Sequence, residues 1–231
     1  MLNQQKYILS TAKLEAWFHN NPLGRNILSK EYEYYNHIIP RIFGYHALQF
    51  GYPSINFLQN NKINYKYIVG KDIQTDILHL PFCCDSIDLI IYPHNLEWLT
   101  KEEREIALQE CYRVLSPNGR IIISAFSNQS LFKFFLNKIH TNCDFIDIDD
   151  LQQELHRLNF TIDGGRFLSY TPPINNQKIL SNLSFLEKVG DRWYPTLANV
   201  FILVATKSMM KYSNIQTPDC SLWYNNSLIV T

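Results

Sequence analysis

The chain has 231 residues, with 21 Lys plus Arg against 21 Asp plus Glu and a formal net charge of zero. A hydrophobic fraction of 46% with 14% aromatics is enough to fill one domain core and excludes wholesale disorder. The scattered Lys and Arg give no basic face to neutralise phosphates, so no nucleic acid is expected as partner, and no apolar run reaches the ~18 residues of a membrane span.

The N-terminus, MLNQQKYILSTAKLEAW, lacks the continuous apolar core of a signal peptide. Residues 1–44 then read as a helical cap. After Pro22 and Gly24, the positions Ile27, Leu28, Tyr35, Ile38, Ile39 and Ile42 fall near helical spacing, with Trp17 and Phe18 just upstream. Tyr45–Phe50 predicts a strand that meets a turn at Gly51-Tyr52-Pro53, and Ile55, Phe57 and Leu58 predict a short helix. Tyr65–Val69 and Ile73–Asp76 predict two more strands about Gly70. Ile87–Tyr92 is apolar throughout, as a strand buried on both faces should be.

Thr100 followed by Glu103 is a capping box for the next helix, whose apolar face is Ala107, Leu108, Cys111, Val114 and Leu115. Pro117 and Asn118-Gly119 end it, and Arg120–Phe126 predicts a strand. Asp147 opens a helix carrying Leu151, Leu155 and Leu158, closed by Asn159, a residue that tolerates the left-handed conformation. Phe160–Leu168 and Asn199–Thr206 predict the last strands. Between them, residues 169–198 read as a lid-like insertion with Tyr170, Trp193 and Tyr194. Residues 208–231 read as a poorly ordered tail.

Alternating strands and helices predict an α/β, doubly wound, mostly parallel sheet. Ligands in such sheets bind beyond the carboxyl ends of the strands, near the switch in strand order. That rule gathers Gly51, Asp76 and Pro93-His94 on one edge. His94 is a candidate general base, having an ordinary pKa near ~6.5; the alternative is a ring that only shapes the pocket. Asp76 has the alternative of capping a turn. Asp85 and Asp88 read as structural. Five cysteines without a Cys-x-x-Cys pair or metal-spaced His predict no metal site and reduced thiols in a cytoplasm.

The segment 76–126 contains an Asp four residues before Leu80-Pro81-Phe82, then Asp85-Ser86-Ile87-Asp88-Leu89-Ile90-Ile91, then Arg113-Val114-Leu115-Ser116-Pro117-Asn118-Gly119-Arg120. It resembles the second half of class I S-adenosylmethionine (SAM) dependent methyltransferases, in particular the type 11 family and a small proteobacterial branch of it. Trp17-Phe18, Pro22–Arg25, Tyr45–Gln49, Tyr170–Pro173 and Gly190–Pro195 carry the likeness to that branch.

The resemblance implies a seven-stranded Rossmann-like sheet with a C-terminal antiparallel strand, and S-adenosyl-L-methionine as cofactor. It also implies an unidentified small-molecule acceptor. Cofactor contacts carried over are Gln49, Gly51, Asp76, Ile77, Tyr92 and Pro93, with His94 as the catalytic candidate. Phe18, Tyr170, Trp193 and Tyr194 are the acceptor candidates, offering flat apolar surface; their alternative is to cover the open end of the sheet. The chain departs from the pattern in three ways. Gln49 replaces the acid that helps hold the amino group of SAM, one glycine remains of the usual loop, and Asp72 is the only nearby acid for the ribose. These departures motivate the competing expectation of a catalytically inactive binding or scaffold protein with a protein partner.

Overall fold

The computed structural model describes residues 4–130, 145–172 and 197–208, with side chains from residue 11 onward. Two helices, α1 (Gln4–Asn20) and α2 (Pro22–Ile38), form the N-terminal hairpin. Asn21 separates them because its side chain accepts from the backbone N–H groups of Leu23 and Gly24, and Pro22 suits the first helical position. The helices touch closely at Gly24, where a Cβ would lie 2.7 Å from the Trp17 carbonyl oxygen. The buried stripe of α2 is Leu23, Ile27, Leu28, Tyr35 and, unexpectedly, Glu31.

Six strands form one sheet in the order β2-β1-β3-β4-β6-β5: β1 His46–Gln49, β2 Tyr65–Ile68, β3 Ile87–Pro93, β4 Leu115–Phe126, β5 Phe160–Leu168 and β6 Val200–Lys207. The first four in spatial order run parallel, and β6 is antiparallel to both β4 and β5. Helices α3 (Lys101–Val114) and α4 (Ile148–Arg157) complete the fold. Strand β3 explains its unbroken apolar sequence. Leu89 and Ile91 pack toward α1 and α2, whereas Ile90 and Tyr92 pack with Leu108, Cys111, Leu151 and Leu155 of α3 and α4.

The predicted caps are present. Thr100 and Glu103 exchange backbone and side-chain hydrogen bonds, Asp147 accepts from the Asp149 N–H, and Asn159 has φ +63°. Asp88 is structural, accepting from the Tyr45 and His46 N–H groups and from Ser116 Oγ. Asp85, at φ +57°, meets Lys207 Nζ at 2.6 Å.

Three expectations are corrected. The described sheet has six strands, not seven, because Ile73–Asp76 makes only isolated bridges, Val69 to Ile73 and Asp76 to His79. A strand parallel to β2 would need a crossover of about a dozen residues, and the turn at Gly70 leaves no room for one. Asp72 closes that turn by accepting from the Ile68 N–H at 2.8 Å. The short helix expected at 55–58 is a series of turns. Cys84 is disulfide-bonded, whereas Cys83 and Cys111 are free thiols. Most of the 169–198 insertion and the tail beyond residue 208 lie outside the described residues.

Candidate active site

The carboxyl ends of β1 and β3 lie side by side at the point where the chain turns outward in opposite directions, toward β2 and toward β4. Phe50 extends β1 by donating to the Ile91 carbonyl at 2.9 Å, and its ring stacks on Tyr92 with centroids 4.2 Å apart. The chain then enters left-handed backbone at Gly51 (φ +68°) and Tyr52 (φ +51°). A Cβ on Gly51 would lie 2.5 Å from Asn95 Nδ2, so the loop passes tightly against the turn that follows β3.

Gln49 holds this loop in place. Its Nε2 donates to the Ile55 carbonyl at 2.6 Å and to Gly51 O at 3.3 Å, while its Oε1 accepts from the Phe57 N–H at 2.9 Å. Residue 49 is fully buried, and its amide is turned onto the backbone of residues 51–57. From the other side, Glu15 of α1 accepts from the Ser54 N–H and hydroxyl.

At the end of β3, Pro93 pairs with Ser124 of β4, and His94 then takes up φ +45° with its N–H donating to the Ser124 carbonyl. Trp98 Nε1 donates to the His94 carbonyl, fixing the turn. The His94 ring lies between two carboxylates: Nδ1 is 3.0 Å from Glu97 Oε1 and Nε2 is 3.0 Å from Glu31 Oε1. All three side chains are fully buried. Phe126, Phe18 and Tyr52 surround the ring, with centroids 4.2, 5.3 and 6.5 Å away.

Burial alone would lower the His94 pKa. Glu31 and Glu97, by charge and hydrogen bond, outweigh it and raise the pKa to about 10. His94 is therefore an imidazolium at neutral pH, with both ring N–H groups donating. A protonated ring has no lone pair, so the base expected here starts with its proton already bound.

Asp76 sits at the near end of the Leu-Pro-Phe loop. Its Oδ1 accepts from the Leu78 N–H at 3.0 Å and its Oδ2 lies 3.0 Å from His79 Nδ1. The turn-capping role is present, yet the carboxylate remains 37% exposed. Ile77 is buried in the same apolar cluster as Leu48, Phe50 and Tyr92. Helix α3 fixes this loop: Glu110 accepts from the Leu80 N–H, and Arg113 donates to the Leu80 and Phe82 carbonyls.

The structure thus brings Gln49, Gly51, Tyr92, Pro93 and His94 together, with Asp76 and Ile77 on the flank. Phe18 is buried above His94, and Tyr170 is half-buried at the end of β5. Trp193 and Tyr194 lie outside the described residues. Glu31 was not singled out from sequence, although a signal existed. It lies four residues after Ile27 and four before Tyr35, on a helix stripe that is otherwise apolar. No group of metal-ligating side chains occurs among the described residues.

Residues 52–123 match a protein family described as a methyltransferase domain. An uncharacterized protein of Escherichia coli, YafS, is 31% identical over 93 residues, covering 38% of each chain. The ubiquinone/menaquinone biosynthesis C-methyltransferase UbiE of Haemophilus ducreyi is 28% identical over 86 residues, covering 35% of this chain and 32% of UbiE. Each alignment therefore spans well under half of the relative. A solved SAM-dependent methyltransferase of Thermotoga maritima, described as a possible histamine N-methyltransferase, superposes with a TM-score of 0.56 at 15% identity. That superposition covers 85% of this chain and 99% of the other. The family match lies on β3, α3 and the loops that frame the site, so over residues 52–123 the chain is similar to a methyltransferase domain, within a fold shared with solved SAM-dependent methyltransferases.

Proposed function

We propose that this protein transfers a methyl group from S-adenosyl-L-methionine to a small-molecule acceptor. The observation that carries this reading is a coincidence of place. The segment matching the methyltransferase domain supplies Asp76, Ile77 and the Tyr92–His94 turn, and all of these border the switch in strand order.

The residues present fit the group. Asp76 keeps a partly exposed carboxylate beside the buried Ile77, and so can accept from the exocyclic amine of adenine. Gly51, by lacking a side chain, lets the loop after β1 lie flat at the site. Tyr92 and Pro93 form the floor. Asp72 is spent on the Ile68 N–H, so no acid of the described β2 end is left for a ribose. When bound, SAM supplies an activated methyl on a sulfonium centre, and the protein must orient the acceptor and exclude water. His94 acts as a positioning residue, because its proton holds Glu31 and Glu97 together. Phe18 and Tyr170, with Trp193 and Tyr194, are assigned to the acceptor side. Their flat apolar surface favours an aromatic or prenylated molecule.

The test is calorimetric titration with SAM and S-adenosylhomocysteine. Binding is expected, weakened roughly tenfold or more in Asp76→Ala through loss of a charge-assisted hydrogen bond. Folded parent protein giving no heat at millimolar ligand would overturn the reading.

A further inference from the structure

Glu31 and Glu97 each spend one carboxylate oxygen on His94, and Glu97 Oε1 also accepts from the Phe126 N–H at 2.9 Å. The second oxygen of each, Glu31 Oε2 and Glu97 Oε2, is buried without a hydrogen-bond partner among the described residues. Such atoms are rare in native proteins, and a buried carboxylate oxygen costs the most when left alone. With two carboxylates and one imidazolium, the cluster carries a net charge of −1. Among the described residues, neither Tyr35 nor Arg104 cancels it. Tyr35, whose hydroxyl donates to Ser124 Oγ, stays neutral because burial raises its pKa well above the usual value. Arg104 lies close enough to feel Glu97, but its Nε and Nη2 are committed to Glu154 at 2.9 and 2.8 Å.

The cluster borders the loop after β1, where Tyr52 Oη reaches the His94 carbonyl at 3.5 Å. At the end of β1, Gln49 is uncharged and turned onto the backbone of that loop. An anionic interior with two unused acceptors, beside a site read as taking a cationic cofactor, calls for a cation.

We propose that Glu31 and Glu97 form a binding site for an alkylammonium group, filled by the amino group of the SAM methionine end. An acid on the N-terminal cap helix and one in the turn after β3 would then supply the charge that Gln49 lacks. Phe18 and Tyr52, packed around His94, must part from it for the ammonium to enter. This inference rests on the methyltransferase reading above.

The experiment compares three ligands on the parent protein, Glu31→Gln and Glu97→Gln, each checked for folding by circular dichroism. SAM and S-adenosylhomocysteine both carry the ammonium, whereas 5′-methylthioadenosine lacks the amino-acid end altogether. The parent should bind S-adenosylhomocysteine at least ~10-fold more tightly than methylthioadenosine. Either Gln variant should lose roughly 10-fold for SAM and S-adenosylhomocysteine while keeping the parent affinity for methylthioadenosine. Two variants are used so that one misfolding does not decide the matter, and the ligand comparison on the parent stands alone if both misfold. Equal parent affinity for S-adenosylhomocysteine and methylthioadenosine overturns the proposal. So do Gln variants that bind all three ligands like the parent, as when water alone fills the site, and variants that weaken all three alike. In those cases SAM binding itself survives. A folded parent that binds none of the three overturns the methyltransferase reading as well.

Discussion

Glu31, His94 and Glu97 join α2, the turn after β3 and the end of β4 through one protonated ring. Removing the ring while keeping both acids leaves like charges facing each other in the core. His94→Leu should therefore destabilise the protein by about 3–5 kcal/mol in chemical denaturation, the range for breaking a buried ion pair from one side. A loss below ~1 kcal/mol would show that the acids relax to solvent instead. The same ring sets a pH dependence. Its folded pKa of about 10 lies above the unfolded value near ~6.5, so its stabilisation is complete below the unfolded value. It declines as pH rises from there and is gone above the folded value. Cys111, whose thiol burial raises to about 12, and Tyr35, held well above its usual value, add to the fall above their unfolded values near ~8.5 and ~10 in the parent and variant alike, so the interval from pH 6 to 8 isolates the ring. Denaturation midpoints at pH 6, 8 and 10 should fall steadily in the parent. In a folded Glu31→Gln/Glu97→Gln double variant the fall should be much smaller. A parallel fall in both proteins would assign the effect to other groups.

At the scale of elements, one buried contact ties α3 to α4: Arg104 forks onto Glu154 with two hydrogen bonds. Because desolvation opposes such pairs, truncating one partner and replacing both should differ. Arg104→Met is expected to cost about 3–5 kcal/mol, whereas Arg104→Met with Glu154→Leu should cost much less or nothing. Additive losses in a double-mutant cycle would contradict this account. The elements themselves were largely legible. Capping chemistry marked the starts of α3 and α4, and unbroken apolar runs marked β3 and β4, since those signals are local. The segment 70–80 was misread because Ile73–Asp76 has the composition of a strand. Whether a strand forms depends on having a parallel neighbour, and that is set by chain length between turns rather than by local pattern. The site was legible in part for the same reason. Gly51, Asp76 and His94 stood next to readable turns. The role of Glu31 depended on a contact 63 residues away, which periodicity on α2 could hint at but not assign.

For the whole molecule, the consequence of this architecture is that one side of the sheet carries the site's cover and the other carries only its support. Helices α1 and α2 lie over His94 and the loop after β1, held by Glu15 on Ser54 and by Glu31 on His94. Helices α3 and α4 pack on the opposite face. A ligand seated at the strand ends, with its ammonium on Glu31 and Glu97, would stabilise the first side directly. SAM at ~100 times its Kd should add about 2.7 kcal/mol to stability. For a protein of this size that corresponds to a rise of roughly 5–10 °C in Tm. Hydrogen exchange should show where the gain falls. Protection should increase in α2, residues 50–57 and residues 93–98, while the amides of α4 and β5 change only as far as global stability does. A Tm rise with uniform protection would mean that ligand binding stiffens the sheet as a whole. Protection confined to α3 and α4 would place the ligand on the wrong face and remove the cap helices from the site.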